Sequence, residues 1–277
     1  MRLPANPGLF VSRGVSFRPL GECTVCGRRP NPTAPLPDDA YAARLFVGFN
    51  VRGVSTAIGD AKERMLQDTT PLGDTWPEHG DTGIKKGEYS TDGFYDDATG
   101  SINQALADSV GVSRVVCYGL ESNTIGKKFV GLAGAFVGKY VRTVQLNEHH
   151  RAKGEYQVSG AMDDGVILHA LTAETATGNT EGADSQDNAA SSAAGGAGYL
   201  QVSAISGTGA TIDAKIRHSS DDVTYADLIT FAQIAVASSR GAERKTVSGT
   251  VNRHLACSFT IAGTTPSVTF FIGFARG

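Results

Sequence analysis

The chain has 277 residues, 40% of them hydrophobic, with a formal net charge of −3 and a pI near 6.1. That length allows two domains with packed cores, while the acidic balance argues against a protein that grips nucleic acid through a basic surface. No run reaches eighteen apolar residues, so no membrane insertion is expected, and the N-terminus lacks the continuous apolar stretch of a signal peptide.

Residues 1–40 hold seven of the ten prolines and five arginines, without sustained periodicity. Proline removes backbone donors and fixes φ, so this stretch reads as a disordered arm. Order begins near Arg44, with a strand predicted over Leu45–Val51. Val54, Ala57, Ile58, Ala61, Met65 and Leu66 have helical spacing, and a short twisted strand also fits them. A long loop follows over residues 69–83, with two prolines and the only tryptophan, Trp76. Loops of this length inside a domain are usually functional, and an indole there is expected to dock on something.

A strand over Ile84–Tyr95 places Tyr89, Thr91 and Tyr95 on one face and Glu88, Ser90 and Asp92 on the other. Thr99 or Ser101 caps a predicted helix over Ile102–Asp108. Strands are predicted at Ser113–Gly119, Lys128–Val137, Lys139–Gln145, Gly154–Ser159 and Gly165–Thr172. Residues 176–198 are rich in Gly, Ala and Ser and read as a flexible linker. Beyond them, Ile212, Ala214 and Ile216 alternate with polar residues, as do Leu255, Cys257, Phe259 and Ile261, then Val268, Phe270, Ile272 and Phe274. The fold class is therefore mostly β (α+β): a first domain over 41–175 with one flanking helix, then a small immunoglobulin-like β-sandwich over 199–277.

The residue types that carry chemistry lack the spacing to use it. Cys23-x-x-Cys26 is half of a zinc ribbon, and no second pair completes four ligands. Cys117 and Cys257 sit in apolar alternation and read as small buried hydrophobes. His149 and His150 are adjacent, so in a strand they point to opposite faces. The doublets Asp96-Asp97, Asp163-Asp164 and Asp221-Asp222 read as turn residues. No nucleophile elbow, phosphate loop or His-Glu-x-x-His is present. The sequence is read as non-catalytic, with no metal and no cofactor.

Several short stretches occur in one order along residues 44–277: Pro71-Leu72-Gly73-Asp74-Thr75-Trp76, Gly83-Ile84-Lys85-Lys86-Gly87, Gly93-Phe94-Tyr95-Asp96-Asp97 and Val116-Cys117-Tyr118-Gly119-Leu120. Ile125-Gly126-Lys127-Lys128-Phe129, His150-Arg151-Ala152-Lys153-Gly154-Glu155-Tyr156, Arg217-His218-Ser219-Ser220-Asp221 and Phe270-Phe271-Ile272-Gly273-Phe274-Ala275-Arg276 continue it. In this ordered set the chain resembles the major tail tube proteins of long-tailed (siphovirus) bacteriophages. Members of that family begin near the strand at Leu45–Val51, so the resemblance does not cover residues 1–40.

The resemblance implies a tail tube domain with one flanking helix, closing into a homohexameric ring whose stacked copies form a conduit for DNA. It implies as partners other copies of the chain, a tape measure protein, a tail terminator and baseplate proteins, with DNA passing through the lumen without specific binding. It also implies a location in the virion tail after synthesis in the host bacterial cytoplasm. The 69–83 loop is then the expected ring-stacking element, with Leu72 and Trp76 as apolar anchors and Asp74 and Glu78 on the rim; the alternative is that Trp76 tucks into its own domain. Glu88 and Asp92 are candidates for the lumen wall, where a net negative potential would keep DNA from sticking. The competing reading is a baseplate or receptor-binding protein that holds carbohydrate on the C-terminal sandwich, with Tyr199 and Tyr225 as its tyrosines.

Overall fold

In the computed structural model the chain is described over residues 45–47, 55–69, 76, 78–95, 110–144, 150–238 and 240–277. The strands in chain order are β1 (Leu45–Val47), β2 (Ser55–Asp68), β3 (His79–Phe94), β4 (Ser113–Gly119), β5 (Lys128–Thr143), β6 (Arg151–Val158) and β7 (Met162–Glu174). They continue with β8 (Gly178–Asn179), β9 (Gln186–Asp187), β10 (Gly196–Ser219), β11 (Ala226–Thr230), β12 (Ile234–Ala235), β13 (Gly241–Val247) and β14 (His254–Arg276). All belong to one antiparallel sheet whose main path runs β11-β10-β14-β7-β5-β6-β3-β2. The mostly-β expectation holds. Among the described residues there is no α-helix; the helix predicted at 102–108 and the arm at 1–40 lie outside them.

Two long antiparallel ribbons organise this sheet. The first pairs β5 with β6 and β7 in a single running register, from Thr143↔Arg151 through Ala135↔Val158 and Leu132↔Met162 to Lys128↔Val166. β6 and β7 are thus one strand interrupted at residues 159–161, where Ser159 N–H donates to the Gly134 carbonyl at 2.7 Å and Ala133 N–H donates to the Ala161 carbonyl at 2.9 Å. The two strands predicted at 128–137 and 139–145 are the single strand β5, kinked by a register shift between Val137 and Lys139.

The second ribbon pairs β10 with β14 along nearly their whole length, with β11, β12 and β13 between them in the chain, and bends in the middle. Register shifts cluster between Val202 and Thr211, where Gly207 (φ 110°) and Gly263 (φ 121°) take backbone angles that other residues avoid. The bend folds the ribbon onto itself. Leu200 and Val202 from one half share a core with Ile212 and Ile216 from the other, joined by Phe270, Ile272, Leu255 and Phe259. This is the β-sandwich expected at the C-terminal end. Its outer half alternates strictly, with Ala210, Ile212, Ala214 and Ile216 buried and the residues between them more open.

The inner half does not alternate. Residues 197–202 and 270–275 are buried without interruption, so both faces of this ribbon are covered. The even residues of β10 face the sandwich core, while Ala197 and Tyr199 join Phe271, Cys117, Phe129 and Ile167 in a second core. Chain before and after residues 176–198 therefore shares one interior. β14 also pairs with β7, from Val268↔Glu174 to Phe274↔Val166.

The linker reading of 176–198 is overturned. β8 and β9 both pair with β14, and β10 begins inside the stretch. Thr180 Oγ1 accepts the Cys257 N–H at 3.0 Å, and Asn188 Nδ2 donates to the Arg253 carbonyl at 3.0 Å. Small residues there permit close backbone pairing rather than flexibility, and residues Tyr41–Gly277 cluster as one unit rather than the two domains expected.

The join between the two cores is polar at its centre. The Tyr199 hydroxyl donates to Asp163 Oδ2 at 2.5 Å, and Arg244 donates to the same oxygen through Nε at 2.9 Å and Nη2 at 2.8 Å. Arg244 Nε also reaches the Tyr199 hydroxyl oxygen at 3.0 Å. Asp163, read as a turn residue, is instead the ion partner that ties β7 to β10 and β13. The Tyr199 ring lies over Gly131, where an added Cβ would sit 2.4 Å from Cζ. With its hydroxyl held and its edge against Phe129, the ring has nowhere to move. Gly131→Ala is therefore expected to destabilise the fold by roughly 1–3 kcal/mol through overpacking, read as a lower Tm, whereas Gly138→Ala, whose added Cβ would lie at ordinary contact distance, 3.7 Å from Gln157 Cγ, leaves Tm nearly unchanged.

Candidate functional site

β2 and β3 form a hairpin longer than the sheet that carries it. β3 pairs with β6 only from Glu88 to Phe94, whereas its pairing with β2 continues outward from Lys62↔Gly87 to Asp68↔His79. The outer part is a two-stranded arm with no third strand among the described residues, roughly 20 Å long at about 3.3 Å per residue. Thr69 N–H donates to the Glu78 carbonyl at 2.9 Å and closes its end. Lys62, Glu63, Gln67, Asp68, Glu78 and His79 along it are all exposed.

Trp76 lies at the tip with 82% of its surface exposed. Of the two readings offered by the sequence, the indole does not tuck into its own domain. Glu78 is exposed at the base of the tip; Leu72 and Asp74 lie outside the described residues. The predicted loop at 69–83 is shorter than expected, because residues 79–83 extend β3. The 54–66 segment is strand β2 rather than helix, since its partner β3 is long enough to pair with all of it.

Behind the arm, β5, β6, β3 and β2 make a four-stranded sheet with two open sides. Among the described residues β2 has only β3 beside it, and β5 beyond Gly138 has only β6.

The two faces of this sheet differ sharply. Tyr89, Thr91, Ala152 and Tyr156 are buried on one, with Tyr89 5.1 Å from the Tyr118 ring and 4.9 Å from that of Tyr156. Burial pushes the Tyr156 hydroxyl up to about 12. The other face carries Glu88 and Asp92, as the alternation predicted. Around them the register brings Glu63, Lys86, Lys139, Arg151, Lys153 and Glu155. Lys86 pairs with Glu88, Arg151 with Asp92 at 3.0 Å, and Lys153 with Glu155 at 3.0 Å, with Lys139 at 4.0 Å from the other Glu155 oxygen. The hydrogen bond from Lys86 holds Glu88 below the usual carboxylate range, and that from Lys153 does the same for Glu155. Four carboxylates thus meet four cations on this face. It does not supply the net negative potential expected for a lumen wall.

The other candidates resolve into structural roles. Cys117 and Cys257 are fully buried, and burial raises both thiols, Cys257 to about 12. Asp221 caps a turn, accepting N–H groups of Val223 at 3.0 Å and Thr224 at 2.9 Å, which lowers it to about 2. His150 is exposed, and its carbonyl accepts the Tyr95 N–H at 2.8 Å. Cys23, Cys26, Asp96, Asp97 and His149 lie outside the described residues. Among the described residues no group of three or more His, Cys, Asp or Glu side chains is placed to hold a metal. No helix there is long and apolar enough to cross a membrane. Tyr199 and Tyr225, the aromatics available to a sugar-binding reading, are both buried.

Sequence reasoning missed His169. It lies in the sandwich core, stacked on Phe270 at 4.2 Å and edge-on to Phe259 at 5.1 Å, with Nε2 3.6 Å from Glu174. Its strand, β7 (Met162–Glu174), alternates too weakly to reveal a polar residue in an aromatic layer.

The described residues define a class: an antiparallel β protein with a projecting two-stranded arm. No family model matches the sequence, and no curated protein matches it. Among solved structures the chain is similar to the tail of an empty gene transfer agent particle, determined by helical refinement with C6 symmetry, at TM-score 0.30 and 15% identity over 39% of this chain and 79% of that one. It is also similar to a chain from the virion of a native gene transfer agent particle, at TM-score 0.31 and 14% identity over 41% and 85%. The SPP1 Dit protein, from the hub adsorption apparatus of Gram-positive-infecting phages, matches at TM-score 0.28 and 7% identity over 81% and 93%.

Burial lowers the pKa of His169 below its ordinary value of 6.5. Between that value and the lower folded one, the unfolded chain takes up a proton that the folded chain refuses, so stability falls as pH drops through 6.5. His169→Phe removes this contribution. The Tm difference between variant and wild type is expected to shift in the variant's favour from pH 7.5 to pH 5.5, measured by thermal unfolding; a constant difference would refute the assignment.

Proposed function

We propose that this chain is a structural, non-catalytic subunit of a phage tail that assembles with copies of itself, and that its specific role is that of a major tail tube protein. The observation that carries the proposal is the β5-β6-β3-β2 sheet, with no further strand on either side among the described residues and extended by an arm that holds Trp76 in solvent. Open strands satisfy their backbone groups by pairing, and a β2 side meeting the β5 side of a neighbour is a head-to-tail contact that closes into a ring. The ordered motifs over residues 44–277 supply the family expectation of a hexameric ring, and stacked rings would form the conduit for DNA.

In this reading the arm crosses to the adjacent ring and buries Trp76 there. An indole covers roughly 150–250 Å2, so its burial is worth about 4–6 kcal/mol at about 25 cal/mol/Å2, enough to make it a central anchor. The carbohydrate-binding alternative loses support because its two tyrosines are inside the core.

Concentrated protein viewed by negative-stain microscopy is expected to show rings or tubes; lone subunits under every condition would sink the reading. Trp76→Ala is expected to keep the wild-type Tm and circular dichroism while losing tubes, with stacking weakened by roughly 2–4 kcal/mol. Normal tubes from that variant would remove Trp76 from the contact.

A further inference from the structure

The two ends of the β5-β6-β3-β2 sheet expose different chemistry. At one end β2 and β3 run out into the arm, with Trp76 in solvent and the exposed carboxylates of Asp68 and Glu78 beside it. At the other end β3 stops at Phe94, β5 at Thr143, and β6 begins at Arg151, the three lying in register. The chain around these strand ends forms a cleft of about 310 Å3, lined by Tyr95, Arg142, Thr143, Val144, His150 and Arg151. That is at the lower end of the roughly 300–1,000 Å3 typical of sites that enclose a small molecule. Its lining is mixed. Val144 is 70% exposed and Tyr95 half-buried, so apolar surface lies open beside three basic side chains. Arg151 is held by Asp92 through Nε at 3.2 Å and Nη2 at 3.0 Å. Arg142 makes no ion pair among the described residues, and its guanidinium lies 5.7 Å from the centre of the Tyr140 ring.

We infer that this cleft is the receptor for the arm tip of a second copy of the chain, with the Trp76 indole against Tyr95 and Val144 and the Asp68 and Glu78 carboxylates facing Arg142 and His150. The inference rests on the self-assembling reading and names where the arm goes. Three observations select the pair. First, tip and cleft lie at opposite ends of β3, sixteen residues long and so roughly 50 Å from end to end at about 3.3 Å per residue. The arm therefore does not reach the cleft of its own chain. Second, the charges are opposite, acidic on the tip and basic around the cleft, an arrangement that steers encounter and fixes register. Third, a guanidinium stacks on an indole face as well as pairing with a carboxylate, so Arg142 serves both parts of the tip. A contact between unlike ends does not close on two copies. Each copy offers a tip and receives one, and the contact repeats along the strand direction as an open series.

The test uses two full-length charge-reversed variants. Asp68→Lys/Glu78→Lys makes the tip basic, and Arg142→Glu/His150→Glu makes the cleft acidic while leaving the Arg151–Asp92 pair intact. Alone, each variant sets like charges against one another, and the concentration at which it assembles is expected to rise roughly tenfold or more over wild type. Mixed in equal amounts, the tips of each variant meet clefts of opposite sign in the other, and assembly is expected to return close to the wild-type concentration. Sedimentation velocity reads the assembly. The emission of Trp76, the chain's only tryptophan, reads burial of the tip: it shifts to the blue in wild type and in the mixture, and stays unshifted in either variant alone. Either variant assembling by itself at the wild-type concentration overturns the inference, as does a mixture that stays dispersed while both variants keep the wild-type circular dichroism. If a reversed variant misfolds, Arg142→Gln removes the charge without adding repulsion; a smaller rise in the same direction supports the cleft, and no rise rejects it. Wild type that stays as lone subunits at every concentration defeats the self-assembling reading itself, whereas wild-type tubes with no rescue in the mixture defeat only the cleft.

Discussion

The inner half of the β10–β14 ribbon buries both of its faces, and the rest of the described structure is arranged around that requirement. Six consecutive residues in each strand, 197–202 and 270–275, lose contact with water. A ribbon of this kind needs an apolar layer on each side. The bend at Gly207 and Gly263 brings the chain's own outer half back over one face. The other face takes Cys117, Phe129 and Ile167 from β4, β5 and β7. Burial of each large side chain is worth roughly 1.5–3 kcal/mol, and the edge-to-face contacts of Phe129 with Tyr199 and Phe271 add to this. The polar exception at the join, Tyr199 with Asp163 and Arg244, satisfies its own hydrogen bonds and so fixes how the two layers meet.

What this core does not cover is equally informative. The β5-β6-β3-β2 sheet is apolar on one face and charged on the other, and its two sides have no further strand among the described residues. A two-stranded arm is only marginally stable by itself, and an exposed indole at its tip is an unfavourable thing to leave in water. Both features make physical sense when a further copy supplies the missing contacts. The charged face then needs no partner at all, because its carboxylates and cations already satisfy one another.

Much of this was legible in the sequence because strands report burial through a period of two. Tyr89 and Thr91 against Glu88 and Asp92, Ser113–Gly119, the outer half of β10 and both buried cysteines follow directly from alternation. The helix reading of 54–66 failed because spacing alone cannot distinguish a helix from a twisted strand whose partner lies elsewhere in the chain. The linker reading of 176–198 failed for a related reason. Composition records that side chains are small, not whether the backbone is paired, and here it pairs with β14.

The sequence by itself determined that the chain is built from antiparallel strands and which residues lie inside most of them. Only the tertiary structure decided that one interior spans both halves, that Asp163 is an ion partner rather than a turn residue, that His169 sits among phenylalanines, and that Trp76 stands in solvent. It also decided that Glu88 and Asp92 belong to a balanced set rather than a negative one. Alternation is local and can be read along one strand, whereas charge balance and double-sided burial depend on which distant strand lies alongside.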